Sequence, residues 1–289
     1  METLREALEG WRPGAVTMTR RVDPWPAAAF ADLIGTPAPG LTTGDPLPPM
    51  WHWFTLLEHP KTDEIGADGH PADGPFLPPI PGRSRMFAGG RLRLDNPIPI
   101  GAELTGTSSV TDIKVKNGRS GEMAFVTVRT GLSAEGKAVG AEEQDIVYRS
   151  GPAGTPPRKV QRPPTNAPEP DGDWRTTIPT DPVILFRFSA LTYNGHRIHY
   201  DQPYATQAEG YPGLVIHGPL LALLALELPR LHAAPGKTLT RFEYRLVRPA
   251  FVPATIVAAG RPARNGDEVT LTVAASGAAP SLTAKAALA

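Results

Sequence analysis

The sequence predicts an α+β protein of two similar halves, each a curved antiparallel sheet wrapped around a central helix. Three observations carry that expectation: a proline-rich break near mid-chain, matched strand and turn signals at the ends of the two halves, and one helix that is apolar on nearly every side.

The break runs from Gly151 to Pro182 and holds nine prolines in 32 residues. Proline fixes φ and has no N–H to give, so the segment suits neither a helix nor a central strand and reads as an extended surface linker. It divides the chain into an N-terminal domain at 1–150, the linker at 151–182 and a C-terminal domain at 183–289.

The two halves end alike. In the first, Arg93-Leu94-Asp95-Asn96-Pro97 precedes an apolar run at Val110–Val115, an Asn117-Gly118 turn and further runs at Met123–Thr130 and Ala138–Tyr148. In the second, Arg245-Leu246-Val247-Arg248-Pro249 precedes Thr255–Ala259, an Asn265-Gly266 turn, Val269–Ala274 and Ser281–Ala287. Arg93 and Arg245 are 152 residues apart and the two Asn-Gly pairs 148, a difference that one loop absorbs. Asn-Gly between alternating apolar runs is a strong hairpin signal, so each half is expected to end in an antiparallel meander.

Helical material precedes each meander. Pro26–Ile34 and Met50–Leu57 are the candidates in the first half. The second half has a stronger one, His217 to Leu228, whose near-continuous apolar surface requires burial on all sides. Pro219 suits the first helical position, which makes Gly218 the cap, and Pro229 is expected to end the run.

Composition excludes several functions. The 289 residues carry 29 Lys+Arg against 29 Asp+Glu, without basic runs or an acidic tail, so neither nucleic acid nor an anionic membrane is an expected partner. No cysteine is present, which removes disulfides, thiolate nucleophiles and Cys-type metal sites. No stretch approaches the roughly 20 apolar residues of a membrane span, and Met1–Trp11 has no apolar run, so a soluble, cytoplasmic protein is expected.

The chemistry concentrates in Tyr193-Asn194-Gly195-His196-Arg197-Ile198-His199-Tyr200-Asp201. Such a density of hydrogen-bonding groups is costly to bury without purpose, and His199 is the natural acid/base because imidazole titrates near neutrality. A polar surface loop is the competing reading. His196, His199 and Asp201 would also suit a metal, but Arg197 between them opposes a cation, and no metal or other cofactor is expected.

His217-Gly218 opens the apolar helix, where unpaired N–H groups and the positive end of the helix dipole favour a ligand oxygen. An efficient helix start is the bland alternative. His52 and His59 flank an aromatic-rich stretch and read as core or rim residues, while His70 and His232 have no suggestive neighbours in sequence. Arg83, Arg85 and Arg91 are candidates for gripping a carboxylate or phosphate, with a solvated strand end as the alternative.

The segment Phe188–Asp201 resembles the hydratase motif of the MaoC-like, or (R)-specific enoyl-CoA hydratase, group of hotdog-fold proteins. In that group an Asp and a His five positions apart act on an acyl thioester. Asn194 and His199 fall on those positions, and Gly218 falls on the glycine whose N–H forms the oxyanion hole. Two departures stand out: the acidic member is Asn194, and Leu226 occupies the place of a supporting serine found in some single-domain relatives. The Asn form is similar to the two-domain branch that includes mesaconyl-C4-CoA hydratase, itaconyl-CoA hydratase and mitochondrial 3-hydroxyacyl-thioester dehydratases. Leu47–Trp53, Gly89–Leu92, Gly118–Gly121 and Gln144–Tyr148 carry the likeness through the first half.

The resemblance implies a double hotdog whose second half holds the active residues. It implies reversible hydration of a 2-enoyl thioester on CoA or acyl carrier protein, with a short, dicarboxylic acyl group in view. His199, Asn194 and Gly218 would be catalytic, and Arg197, His196, Tyr193, Arg83 and Arg85 would bind substrate. A thioesterase and a non-catalytic acyl-thioester-binding partner subunit are the alternatives, and a homodimer is left open.

Overall fold

The computed structural model describes residues 3–118, 121–150 and 159–289. The first half contributes α1 (Leu4–Ala7), β1 (Val16–Arg21), α2 (Pro24–Ile34), β2 (Pro46–Leu47), β3 (Ser84–Leu94), β4 (Ile98–Pro99), β5 (Glu103–Gly118), β6 (Gly121–Ala134) and β7 (Lys137–Arg149). The second contributes β8 (Trp174–Thr180), α3 (Pro182–Leu191), α4 (Gly218–His232), β9 (Leu239–Leu246), β10 (Ala254–Pro262), β11 (Glu268–Ala275) and β12 (Leu282–Leu288).

Ten strands form one antiparallel sheet in the order β1-β5-β6-β7-β3-β9-β12-β11-β10-β8, and β2 pairs with β4 in a separate ribbon. Outward from the central β3–β9 pair, both sides follow the same chain order. The register makes the duplication quantitative: Gly89 pairs with Arg245, Arg91 with Glu243 and Arg93 with Arg241. The 152-residue offset that carries Arg93 onto Arg245 also carries 89 onto 241 and 91 onto 243, so a local two-fold axis passes through the Arg91–Glu243 pair. The expected meanders are therefore present and joined edge to edge.

The second half wraps around α4, in which Leu220 through Pro229 are all buried. Its start differs from expectation: His217 is the N-cap, Gly218 the first helical residue and Pro219 the second. Both of the latter lie in the first turn, where a missing N–H costs no internal bond. Pro229 does not end the helix, which continues to His232 with Ala233 N–H donating to the Pro229 carbonyl. Tight packing of the sheet around this helix outweighs the one backbone bond that proline removes.

Among its described residues the first half has no such helix. Met50–Leu57, expected as helical, forms only a 3₁₀ turn at Trp51–Phe54, entered through Met50 at φ 70°. Cross-strand pairing puts Arg85, Tyr148 and Ala124 on one sheet face with Phe87, Ile146 and Val126. Leu4 of α1 and its C-cap Leu8, with Ile80, pack on Ala124, Val126, Ile146 and Tyr148. Helices α2 and α3 occupy matching positions after β1 and β8 and meet through Phe30 and Phe188, whose ring centroids lie 6.1 Å apart. Asp23 and Asp181 cap them by accepting from Trp25 N–H and Ile184 N–H.

Two expectations need adjustment. The segment 151–182 contains β8, which lies at the sheet edge, where Pro179 removes no bond that the fold needs. Asn117-Gly118 continues β5, with Asn117 paired to Glu122, and residues 119 and 120 at the tip lie outside the described residues. The Asn265-Gly266 turn is present, with Gly266 at φ 72°.

Candidate active site

The motif begins where α3 stops. Tyr193, at φ 49°, turns the chain in the left-handed region, a costly conformation for a tyrosine, and Asn194 N–H then donates to Ser189 O at 2.9 Å. The Asn194 Oδ1 accepts from His196 N–H at 3.0 Å, which leaves the Nδ2 end free to donate. A 3₁₀ turn at Arg197–His199 carries His199 inward, where it is buried. The polar-surface-loop reading of this segment therefore fails at His199.

His199 Nδ1 lies 2.7 Å from Val215 O. A carbonyl only accepts, so Nδ1 carries the proton and Nε2 keeps its lone pair. Burial, partly opposed by that bond, lowers the His199 pKa to about 4, which keeps the ring neutral at neutral pH with its Nε2 lone pair available. The ring stacks on fully buried His217 at 3.6 Å between centroids. His217 Nε2 is 2.9 Å from Ser189 Oγ, and its Nδ1 has no partner among the described residues. Burial, with the nearby His199 and His196, holds the His217 pKa well below the ordinary value.

His217 delivers Gly218 to the start of α4. A Cβ at Gly218 would stand 2.5 Å from Leu246 Cδ1 and 3.5 Å from Phe87 Cδ1, so a side chain here would have to displace the end of Leu246. The Gly218 N–H belongs to the first turn and has no intrahelical acceptor.

A first-half loop completes the cluster. Arg197 N–H donates to Asp68 O at 2.9 Å, and a Cβ at Gly69 would collide with Gly195 O. This contact brings His70 onto His196, with ring centroids 4.0 Å apart, while His196 meets the His199 ring edge-on at 5.5 Å. Asp68 holds His70 through its Nδ1 at 3.1 Å. Burial pulls the Asp68 carboxyl upward, but the bonds from His70 outweigh it and the pKa falls to about 2. Burial, reinforced by the His70 and His199 charges, lowers His196 to about 2. His70, which had no suggestive sequence neighbour, is thus part of a row of four imidazoles; its partner His196 is 126 positions away, too far for any local signal.

Of the expected substrate arginines, Arg197 binds Asp201 at 3.0 and 2.7 Å, donates to Ala67 O and covers the Tyr204 ring at 4.0 Å. Arg83 donates to the carbonyls of Ala72 and Pro78. Arg85 is exposed and has no ion pair or hydrogen bond among the described residues. Tyr193 is exposed, and its ring meets His59 at 5.6 Å. His196, His199 and Asp201 do not converge as ligands, since Asp201 serves Arg197. Asp68, His70 and His196 instead bring one potential ligand atom each within 4.8 Å of one another.

A second buried polar cluster lies in the first half. Glu142 accepts from His52 Nε2 at 2.7 Å, Trp53 Nε1 at 2.8 Å and Gln144 Nε2 at 2.7 Å. His52 and Glu142 are 90 positions apart, and nothing local in the sequence joins them. No helix among the described residues is long and apolar enough to cross a membrane.

The family model for hydroxyacyl-thioester dehydratase type 2 matches residues 50–252. Mesaconyl-C(4)-CoA hydratase of Chloroflexus aurantiacus is 45% identical over 246 residues, 85% of each chain. The mitochondrial hydroxyacyl-thioester dehydratase type 2 of Schizosaccharomyces pombe is 48% identical over 84 residues, 29% of this chain and 27% of that one. Among solved structures, a MaoC-like dehydratase from Phytophthora capsici superposes with a TM-score of 0.69 over 96% of this chain and 95% of its own, at 15% identity. A Mycobacterium tuberculosis protein described as having a double hotdog fold superposes with a TM-score of 0.52 over 96% of each chain, at 14% identity. These structures establish the α+β double hotdog fold.

Proposed function

The chain belongs to the hydroxyacyl-thioester dehydratase type 2 family of MaoC-like hotdog proteins, and on that premise we propose a site for its chemistry. The reaction is reversible hydration of a 2-enoyl thioester to the 3-hydroxyacyl thioester, a hydro-lyase activity. A short acyl-CoA is the proposed substrate, with acyl carrier protein as the other carrier.

The supporting observation is the orientation of His199: Nδ1–H fixed on Val215 O, Nε2 unprotonated, and the ring stacked on the residue that precedes Gly218. Water donates one hydrogen to His199 Nε2 and accepts from Asn194 Nδ2–H, so its remaining lone pair is free to attack C3. Negative charge passes to the thioester oxygen, where Gly218 N–H receives it; one donor of this kind is worth roughly 2.7–4 kcal/mol. The imidazolium then returns its proton to C2 on the same face. One titrating group serves both transfers, so an amide at 194 suffices for positioning. His196 packs edge-on against His199, and Tyr193 and Arg197 shape the loop that holds the pair.

The test is product identity with crotonyl-CoA. Formation of 3-hydroxybutyryl-CoA without free CoA supports hydration, whereas free CoA without the hydroxy product makes the protein a thioesterase. Binding without either product makes it a partner subunit. The proposed domains remain 1–150 and 183–289, with the second taking β8 from the intervening segment. A cytoplasmic setting and a homodimer belong to the same reading, to be tested by cell fractionation and sedimentation.

A further inference from the structure

We propose that Gly69 and His70 are positioning residues for the hydration: the first-half loop at 66–72 sets where the side-chain amide of Asn194 points relative to the His199 ring, and so whether both hold one water. The inference rests on the thioester reading above and gives the first half a part in the chemistry.

Asn194 and His199 are separated by four residues, and the first three of these are each held by the first half. Gly195 backs onto Gly69 so closely that a Cβ on Gly69 would collide with the Gly195 carbonyl, which also accepts from the Tyr200 hydroxyl at 2.9 Å. The His196 ring lies on the His70 ring, with centroids 4.0 Å apart and a tilt of 37°. Arg197 donates through its backbone N–H to Asp68 O and through its guanidinium to Ala67 O, both at 2.9 Å. Only the fourth, Ile198, is held from its own half, its carbonyl accepting from Val215 N–H at 3.0 Å.

His196 passes that hold to Asn194. Its N–H donates to Asn194 Oδ1 at 3.0 Å, so the place of His196 decides the direction of the Nδ2 end. His199 is fixed separately, by Val215 O and the His217 ring. The base is thus set by the second half and the aim of the amide by the first. Attack by a held water tolerates little error, since a misplacement of about 1 Å can cost on the order of 10²-fold in rate.

The loop is braced for this role. Gly66 N–H donates to His70 O at 2.7 Å, Ala72 N–H donates to Glu64 O at 2.8 Å, and Ile65 bridges to Pro71. Asp68 accepts from His70 twice, from its backbone N–H at 3.0 Å and from Nδ1–H at 3.1 Å, which orients the ring. Gly69, at φ 89°, takes a backbone conformation that side chains disfavour at the point where loop and motif touch.

The test compares Gly69→Ala and His70→Ala with the parent in crotonyl-CoA hydration. Gly69→Ala removes no functional group, yet its methyl must push the Gly195 carbonyl away. Expected in both is a fall in kcat of about 10- to 100-fold with KM within about threefold, while unfolding stays cooperative. His70→Phe, which keeps a flat ring against His196, should recover part of the loss. Hydrogen exchange gives a readout without turnover: the His196 amide should exchange about tenfold faster in Gly69→Ala, with the amides of α4 unchanged. The proposal is overturned if Gly69→Ala keeps the parent kcat or if its His196 amide keeps the parent protection. A raised KM at unchanged kcat also overturns it, because the loop would then be a substrate contact. So does parent activity that is lost on chelation and restored by zinc, because Asp68, His70 and His196 would then be holding an ion. A parent that forms no hydroxy product defeats the thioester reading, and the exchange rates still decide whether the loop holds the amide.

Discussion

The two halves share one strand order and meet across a local two-fold axis, yet among the described residues only the second encloses a long helix. There, 15 residues of α4 fill the sheet and present Gly218 and His217 at one end. In the first half the same sheet face is filled by α1, the segment around Ile80 and a single 3₁₀ turn, with a buried Glu142–His52–Trp53 cluster beneath. Duplication has kept the sheet, which sets how the halves pair, and released the filling of each half. One half keeps a rigid helix that aims an amide; the other lends a loop with Asp68 and His70, and a strand face with Phe87. The site is thus assembled from both halves, although its proposed catalytic groups lie on one.

The difference in filling is the first thing to break. Leu223, fully buried in α4, should cost about 2–5 kcal/mol of unfolding free energy as Leu223→Ala, because the wrapped sheet cannot collapse onto the void. Leu4→Ala should cost less, since a four-residue helix near the chain end can shift or fray. Urea titration of both variants checks this, and equal costs would mean that the first half is filled as rigidly as the second.

Protonation should strike the second half selectively. The His199 pKa is near 4 when folded and about 6.5 when unfolded, so as pH falls from 6.5 to 4 the unfolded chain takes up a proton that the folded one refuses. Stability contributed above 6.5 is lost across that window, on the order of 3 kcal/mol from this residue. His196 and His217 push the same way, while Asp68 acts only below its unfolded value, as pH falls toward 2. Urea midpoints at pH 8, 6 and 4.5 should fall steadily, and less steeply in His199→Asn.

The smallest effect belongs to the first-half cluster. His52→Leu leaves Glu142 buried with one donor fewer and should cost about 1–3 kcal/mol. Its kcat should stay within a few-fold of the parent where both are folded. A large loss of kcat at unchanged stability would move that cluster into the active site and erase the contrast between the halves.

Much of this was legible in the sequence, and the failures have a common cause. The repeat offset, the second-half hairpin turn and the apolar helix are local patterns, and all appear. His199 reaches His217, the residue before Gly218, because the turn at Tyr193 and the Val215 carbonyl lie nearby in the chain. Met50–Leu57 misled because its apolar density reflects burial rather than periodicity: Pro48 and Pro49 precede it, and Met50 itself is left-handed. Pro229 misled because packing overrides one missing bond. His70 with His196, and His52 with Glu142, are pairings across the fold that no short window contains.

The most direct test of the account compares kcat/KM for crotonyl-CoA hydration in the parent and His199→Gln, with melting of both followed in parallel. Loss of general acid–base catalysis should lower kcat/KM by about 10²–10⁴-fold while the variant still unfolds cooperatively. A folded His199→Gln protein that hydrates crotonyl-CoA at near the parent rate would contradict it.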